Sequence, residues 1–126
     1  MKTKKNIRNV AIALILSLFY FSSCEKYAIE KPVVTEHIYY TPDIQNIFNS
    51  NCATSSCHGG SVNPSLKAGK SYNALVPNYV NVDNPEESIL YKQITTKDTH
   101  IPRTNDLEKA KILTWIKQGA LNDTLK

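Results

Sequence analysis

Val10 to Phe21 is an apolar run of 12 residues, and Ser22, Ser23 and Cys24 follow it directly. This run decides how much chain is left to fold. A membrane-crossing helix needs about 20 apolar residues. The hydrophobic part of a cleavable export leader needs only about 7–15. Lys2, Lys4, Lys5 and Arg8 supply the basic start that such leaders carry. With residues 1–23 set aside as a leader, 103 of the 126 residues remain. That is enough for one modest core. The whole chain has 15 Lys+Arg against 11 Asp+Glu, but four of the basic residues lie in the leader, so the remainder is formally neutral. The apparent basicity belongs to targeting, and no nucleic-acid partner is expected.

Phe21-Ser22-Ser23-Cys24 resembles the lipobox of bacterial lipoproteins, with Phe where Leu is usual. The resemblance implies that Cys24 is lipidated and becomes the first mature residue. The protein would then be anchored in the cell envelope, on the periplasmic or outer side of a membrane. Acyl chains contribute about 0.8 kcal/mol per buried methylene, so several of them give stable attachment. An ordinary secretory leader with a chance cysteine, or an uncleaved anchor, is the alternative. Glu25 to Glu36 is polar, mixed in charge and contains Pro32, which reads as a tether. The expected organisation is a leader over 1–23, a lipidated tether over 24–38 and one domain over 39–126.

Helical signals dominate that domain. Thr41 suits an N-cap, Pro42 the first helical position and Asp43 the positive helix start. Ile44, Phe48 and Cys52 then recur every four residues, so Cys52 shares the apolar face of a helix over about 42–52. Residues 53–66 are rich in Ser, Gly, Asn and Pro and read as loop. A short helix is expected over Lys70 to Leu75. Asn84-Pro85-Glu86-Glu87 has the pattern of a helix start, with Leu90 and Ile94 as its core face. The last helix starts near Asn105 or Asp106 and stops at Gly119. Ile112, Leu113 and Ile116 form its apolar arc, and Trp115 falls outside that arc. Strand signals are weak, so the expected class is mainly α.

Two cysteines besides Cys24 remain, Cys52 and Cys57, in an exported chain where thiols do not stay idle. With His58 they form C-x4-C-H. Covalent haem attachment needs two thiols to add to the two vinyl groups of the porphyrin and a following imidazole to reach the iron; the usual spacing is C-x2-C-H. The two extra residues must loop out, and Ala53, Thr54, Ser55 and Ser56 are small enough to do so.

The stretch from Asp43 to Asp123 resembles the small planctomycete-type cytochrome c domains of the class I cytochrome c family. Ile44-Gln45-Asn46-Ile47-Phe48 precedes the motif and His58-Gly59 ends it. Ser71-Tyr72-Asn73-Ala74-Leu75, Asn84-Pro85-Glu86-Glu87-Ser88-Ile89-Leu90-Tyr91 and Ile112-Leu113-Thr114-Trp115-Ile116-Lys117-Gln118-Gly119-Ala120 follow in order. The resemblance implies a small helical domain wrapped around one covalent haem c. Its thioethers would form at Cys52 and Cys57, with His58 as proximal iron ligand. It further implies single-electron transfer, with a redox protein in the cell envelope as the expected partner; the sequence itself does not support catalysis beyond that, so no enzyme is expected.

This chain departs from the family at the second axial ligand. The family usually has Met just before Pro ahead of the last helix, where this chain reads Thr99-His100-Ile101-Pro102. Its only methionine is Met1, within the leader. His100 is the available substitute. However, Pro102 biases Ile101 toward extended backbone, and neighbouring side chains then face opposite ways. If position 101 faces the iron, His100 faces away, so ligation by His100 requires a shift of one residue. The alternative is an exposed His100 with an open iron site. Without Met ligation the reduction potential is expected to be lower than in Met-ligated relatives.

Two other readings stay open. Cys52 and Cys57 could form a disulfide in a haem-free lipoprotein that serves as a binding or structural module. Cys52, Cys57, His58 and His100 could hold zinc, although adjacent Cys57 and His58 close a tetrahedron awkwardly. His37 reads as a surface histidine beside the tether. Tyr39 and Tyr40 are expected to pack one side each against the domain.

Overall fold

The structure, a computed structural model, describes residues 30–124. The leader, Cys24 and the start of the expected tether lie outside them. A π-helical turn, Tyr40–Ile44, runs directly into α1 (Gln45–Asn51). Then come α2 (Ser71–Leu75), α3 (Ile89–Thr96) and α4 (Asp106–Lys117), with 3₁₀ turns at Pro85–Glu87 and Ile101–Arg103. There is no strand among the described residues, so the domain is mainly α. No helix among them is long and apolar enough to cross a membrane.

The apolar periodicity becomes the core. The turn and α1 bury Ile44, Ile47 and Phe48, α3 buries Leu90 and Ile94, and α4 buries Ile112 and Ile116. The π turn and α3 both pack on α4. Local chemistry fixes both ends of α4. The Asn105 side chain accepts from the Glu108 N–H at 2.9 Å, and Glu108 accepts from the Asn105 N–H at 2.8 Å. This reciprocal pair satisfies two donors that a helix start leaves over. At the other end Gly119 takes φ 96°, the left-handed conformation that glycine adopts without strain.

Three expectations are corrected. Trp115 is 1% exposed and sits inside the core. Its ring lies 5.3 Å from that of Tyr40, and its indole N–H donates to the Leu121 carbonyl at 2.9 Å. The cause is a clasp between the two ends of the domain. Gln118 accepts from the Ile38 N–H and donates to the Glu36 carbonyl, at 2.9 and 3.0 Å. Asp123 accepts from the Tyr40 N–H and pairs with His37, at 3.0 and 2.8 Å. The incoming chain thereby covers the side of α4 that the helical arc alone leaves open. For the same reason Ile38, expected in the tether, is a core residue at 1% exposure.

The second correction concerns the first helix, which begins at Tyr40 rather than behind a Thr41 cap. The Thr41 N–H is bonded to the Asp123 carbonyl at 3.1 Å, and Asp43 reaches back to the Tyr39 N–H at 3.0 Å. The third concerns Asn84, which leads into a separate 3₁₀ turn. Helix α3 starts only at Ile89, because the buried Ser88 hydroxyl is held by the backbone of Asn81, accepting from its N–H at 2.9 Å and donating to its carbonyl at 3.2 Å.

Candidate functional site

The site begins where α1 ends. The Cys52 N–H still donates to the Phe48 carbonyl at 2.9 Å, so Cys52 keeps the inward direction of the helix face and packs against the core. The chain then turns back on itself. The Cys57 and Gly59 N–H groups both donate to the Thr54 carbonyl, at 3.0 and 2.9 Å. The His58 N–H donates to the Cys52 carbonyl at 3.2 Å. This last bond brings His58 back beside Cys52 and leaves Thr54, Ser55 and Ser56 exposed. The extra residues of the x4 spacing are thus accommodated as a bulge on the solvent side. Gly59 is buried at the closure of the loop, where a Cβ would run into the carbonyl oxygens of Ala53 and Thr54.

The His58 ring is oriented from behind. Its Nδ1 is bonded to the Pro64 carbonyl at 2.9 Å, which makes Nδ1 the protonated nitrogen and leaves Nε2 free. Binding imidazoles are typically fixed in this way by a backbone or carboxylate acceptor. The His58 carbonyl in turn accepts from the Leu66 N–H at 2.8 Å.

Cys52, His58 and His100 line one cleft of about 290 Å³. Its walls are mostly apolar: Phe48 from α1, Leu75 from α2, Leu90 and Ile94 from α3, and Ile112 from α4. The exposed Val62 and Asn63 also line it, so it reaches the surface there. One polar atom in the wall stands out. The hydroxyl of Thr104, a residue 4% exposed, is buried without a hydrogen-bond partner. Buried hydroxyls are normally paired, so this one has capacity for a ligand in the cleft.

The two sulfurs differ. Burial, reinforced by the Glu108 carboxylate, pushes the Cys52 thiol up to about 11. Hydrogen bonds from Thr54 and Ser56 lower the Cys57 thiol below its usual value. Cys57 does not itself line the cleft, and both cysteines are free thiols. His37 takes no part, being paired with Asp123. Among the described residues no three His, Cys, Asp or Glu side chains gather closely enough to hold a metal ion by themselves.

His100 corrects the extended-loop expectation. Residues Ile101–Arg103 form a 3₁₀ turn, and the His100 and Ile101 N–H groups both donate to the Lys97 carbonyl, at 2.8 and 2.9 Å. In a helical turn neighbouring side chains do not alternate. His100 therefore lines the cleft, and Ile101 is an exposed hydrophobic residue. The Pro64 carbonyl, the Gly59 closure and the Thr104 hydroxyl escaped the sequence reading. Only the glycine next to His58 carried a visible signal.

Chemically, the cleft offers one half-buried sulfur, two imidazoles and an unpaired hydroxyl in apolar surroundings. Such walls suit an apolar ligand better than a hydrated ion. Comparison with family models, with curated proteins and with solved structures finds no match to this chain.

Proposed function

We propose that the protein is a lipid-anchored c-type cytochrome that carries single electrons in the cell envelope, its helical domain wrapped around one haem. The observation that carries this reading is the placement of Cys52 and His58 on one apolar cleft, with the Nδ1 of His58 engaged by Pro64 and its Nε2 left over. The residues on the cleft suit the group: the His58 imidazole for iron, the Cys52 thiol for a vinyl carbon, and apolar walls for the porphyrin. The Thr104 hydroxyl fits a polar substituent or ligand of that group.

In this reading Cys52 and Cys57 would hold the group through thioethers, the S–H of each thiol adding across a vinyl C=C so that all atoms are kept and no oxidant is consumed. Haem so held supplies one-electron chemistry between its ferric and ferrous states. Phe48, Leu90, Ile94 and Ile112 would exclude water from a group held in the cleft. The Pro64 carbonyl keeps the His58 ring oriented. Cys24, as lipid anchor, would hold the domain near a membrane-associated redox partner that supplies or accepts the electron.

The test is expression of the full chain with c-type haem maturation machinery. The expected product is red, and its haem stays on the polypeptide through denaturing electrophoresis. It is lost when Cys52 and Cys57 are both replaced by Ser. A colourless mature protein with Cys52 bonded to Cys57 refutes the proposal and favours the haem-free lipoprotein.

A further inference from the structure

We infer that His100 is the second axial ligand, making a closed bis-imidazole iron site with nearly parallel ring planes. The inference rests on the haem reading above and goes beyond it by fixing the sixth ligand, and with it the spin state and ligand reactivity of the centre. The centres of the His58 and His100 rings are 6.2 Å apart and their planes are inclined by 29°. Two imidazoles bonded through one nitrogen each to opposite sides of one metal ion have ring centres about 6 Å apart, with about 2 Å for each metal–nitrogen bond and about 1 Å from each nitrogen to its ring centre.

Both rings are also tethered through the same nitrogen. The His58 Nδ1 is bonded to the Pro64 carbonyl at 2.9 Å, and the His100 Nδ1 to the Thr99 hydroxyl at 3.2 Å. Each of these contacts leaves Nε2 free. His58 and His100 are the only imidazoles lining the cleft. The 3₁₀ turn that carries His100 is closed by two bonds to the Lys97 carbonyl and one from the Arg103 N–H to the His100 carbonyl at 2.9 Å. The ligand is therefore presented by an ordered turn.

The consequences are specific. With both axial positions taken by protein nitrogen, the iron is low-spin in both oxidation states and does not bind small external ligands. The small angle between the ring planes sets the magnetic anisotropy of the ferric form.

The experiment uses the full chain matured with haem. The ferric protein should give a low-spin absorption spectrum and a rhombic paramagnetic resonance signal with three resolved g values. A single strongly anisotropic feature would instead indicate perpendicular rings. The ferrous form should not take up carbon monoxide. His100→Ala should become high-spin and bind carbon monoxide, and added imidazole should restore the low-spin spectrum. His100→Met, which keeps a ligand, should stay low-spin with a raised potential and covers the case of an unstable alanine variant. A haem-bearing wild type that is high-spin, that binds carbon monoxide, or that has the same spectrum as His100→Ala overturns this inference alone. A chain that matures without haem overturns the haem reading as well.

Discussion

Gly59→Ala is the sharpest perturbation of the proposed attachment loop, because the structure sets both its cost and its control. A Cβ at 59 meets the backbone oxygens of Ala53 and Thr54, which cannot rotate away as a side chain could. The loop must open, at an overpacking cost of about 1–3 kcal/mol. Opening also breaks the 2.9 Å bond from the Gly59 N–H to the Thr54 carbonyl, a net loss of about 0.5–1.5 kcal/mol. Together these give a destabilisation of about 2–4 kcal/mol, or a Tm lower by roughly 10–30 °C for a domain of this size. The same movement carries Cys57 and His58 away from Cys52, so the yield of covalently attached haem should fall with the Tm. Gly60→Ala is the matched control. A Cβ there meets only the flexible end of Lys67, at 3.7 Å, so stability should stay within about 0.5 kcal/mol of wild type. Thermal unfolding followed by circular dichroism, with haem-to-protein ratio from absorbance, reads both effects. A Gly59→Ala protein that melts and binds haem like Gly60→Ala would refute the close-approach argument.

Other residues give independent checks. Asn105→Ala removes the side-chain half of the capping pair on α4 and should cost about 1 kcal/mol in denaturant unfolding; an unchanged midpoint would mean that the cap does not matter. Partial burial works against ionisation of Asp123, but hydrogen bonds from His37 and the Tyr40 N–H outweigh it and hold the carboxyl below its usual range. A carboxyl depressed on folding stabilises above its unfolded pKa of about 3.9. That contribution is lost as pH falls through the lower folded value. Asp123→Asn should therefore cost under about 1 kcal/mol at neutral pH, since the pair is partly exposed, and its difference from wild type should vanish in acid. A difference that grows in acid would reverse the assignment. In the reduced, haem-free chain, a thiol-alkylating reagent should label Cys57 before Cys52, because the first thiol is lowered by its hydrogen bonds and the second raised by burial. Equal rates would show that the two environments do not differ.

What was legible in the sequence is what short-range chemistry decides. Asn105 and Glu108 mark the start of α4 and Gly119 its end, because every partner lies within a few residues. Cys52 and His58 stand side by side for the same reason, through the His58 N–H bond to the Cys52 carbonyl, whereas Cys57 lies off the cleft they line. Trp115 was not legible, because its burial depends on residues 36–40, which Gln118 and Asp123 draw over α4 from the far end of the domain. The start of the first helix failed for the same cause: Asp123 takes the N–H of Thr41. The backbone around His100 was misread through a local rule. The alternation of side chains in extended backbone does not apply to a segment that closes into a 3₁₀ turn at Lys97. The apolar walls of the cleft come from four helices, and no single stretch of sequence reveals that Thr104 is left unpaired among them.

The loop from Cys52 to His58 divides its tasks between backbone and side chains. One bond, from the His58 N–H to the Cys52 carbonyl, sets the distance between the first sulfur and the imidazole whatever lies between them. A second, from the His58 ring to Pro64, sets the direction of the imidazole and uses no atom of residues 53–56. The bulge itself is held by the Thr54 carbonyl, which accepts from both Cys57 and Gly59, so its geometry depends on main-chain groups that any residue supplies. Side chains at Thr54, Ser55 and Ser56 are exposed and free to vary, apart from the hydrogen bonds that Thr54 and Ser56 give the Cys57 sulfur. Only position 59, pressed against two carbonyl oxygens, admits no side chain. The placement of Cys52 beside His58 thus rests on main-chain bonds and on the glycine directly after the histidine.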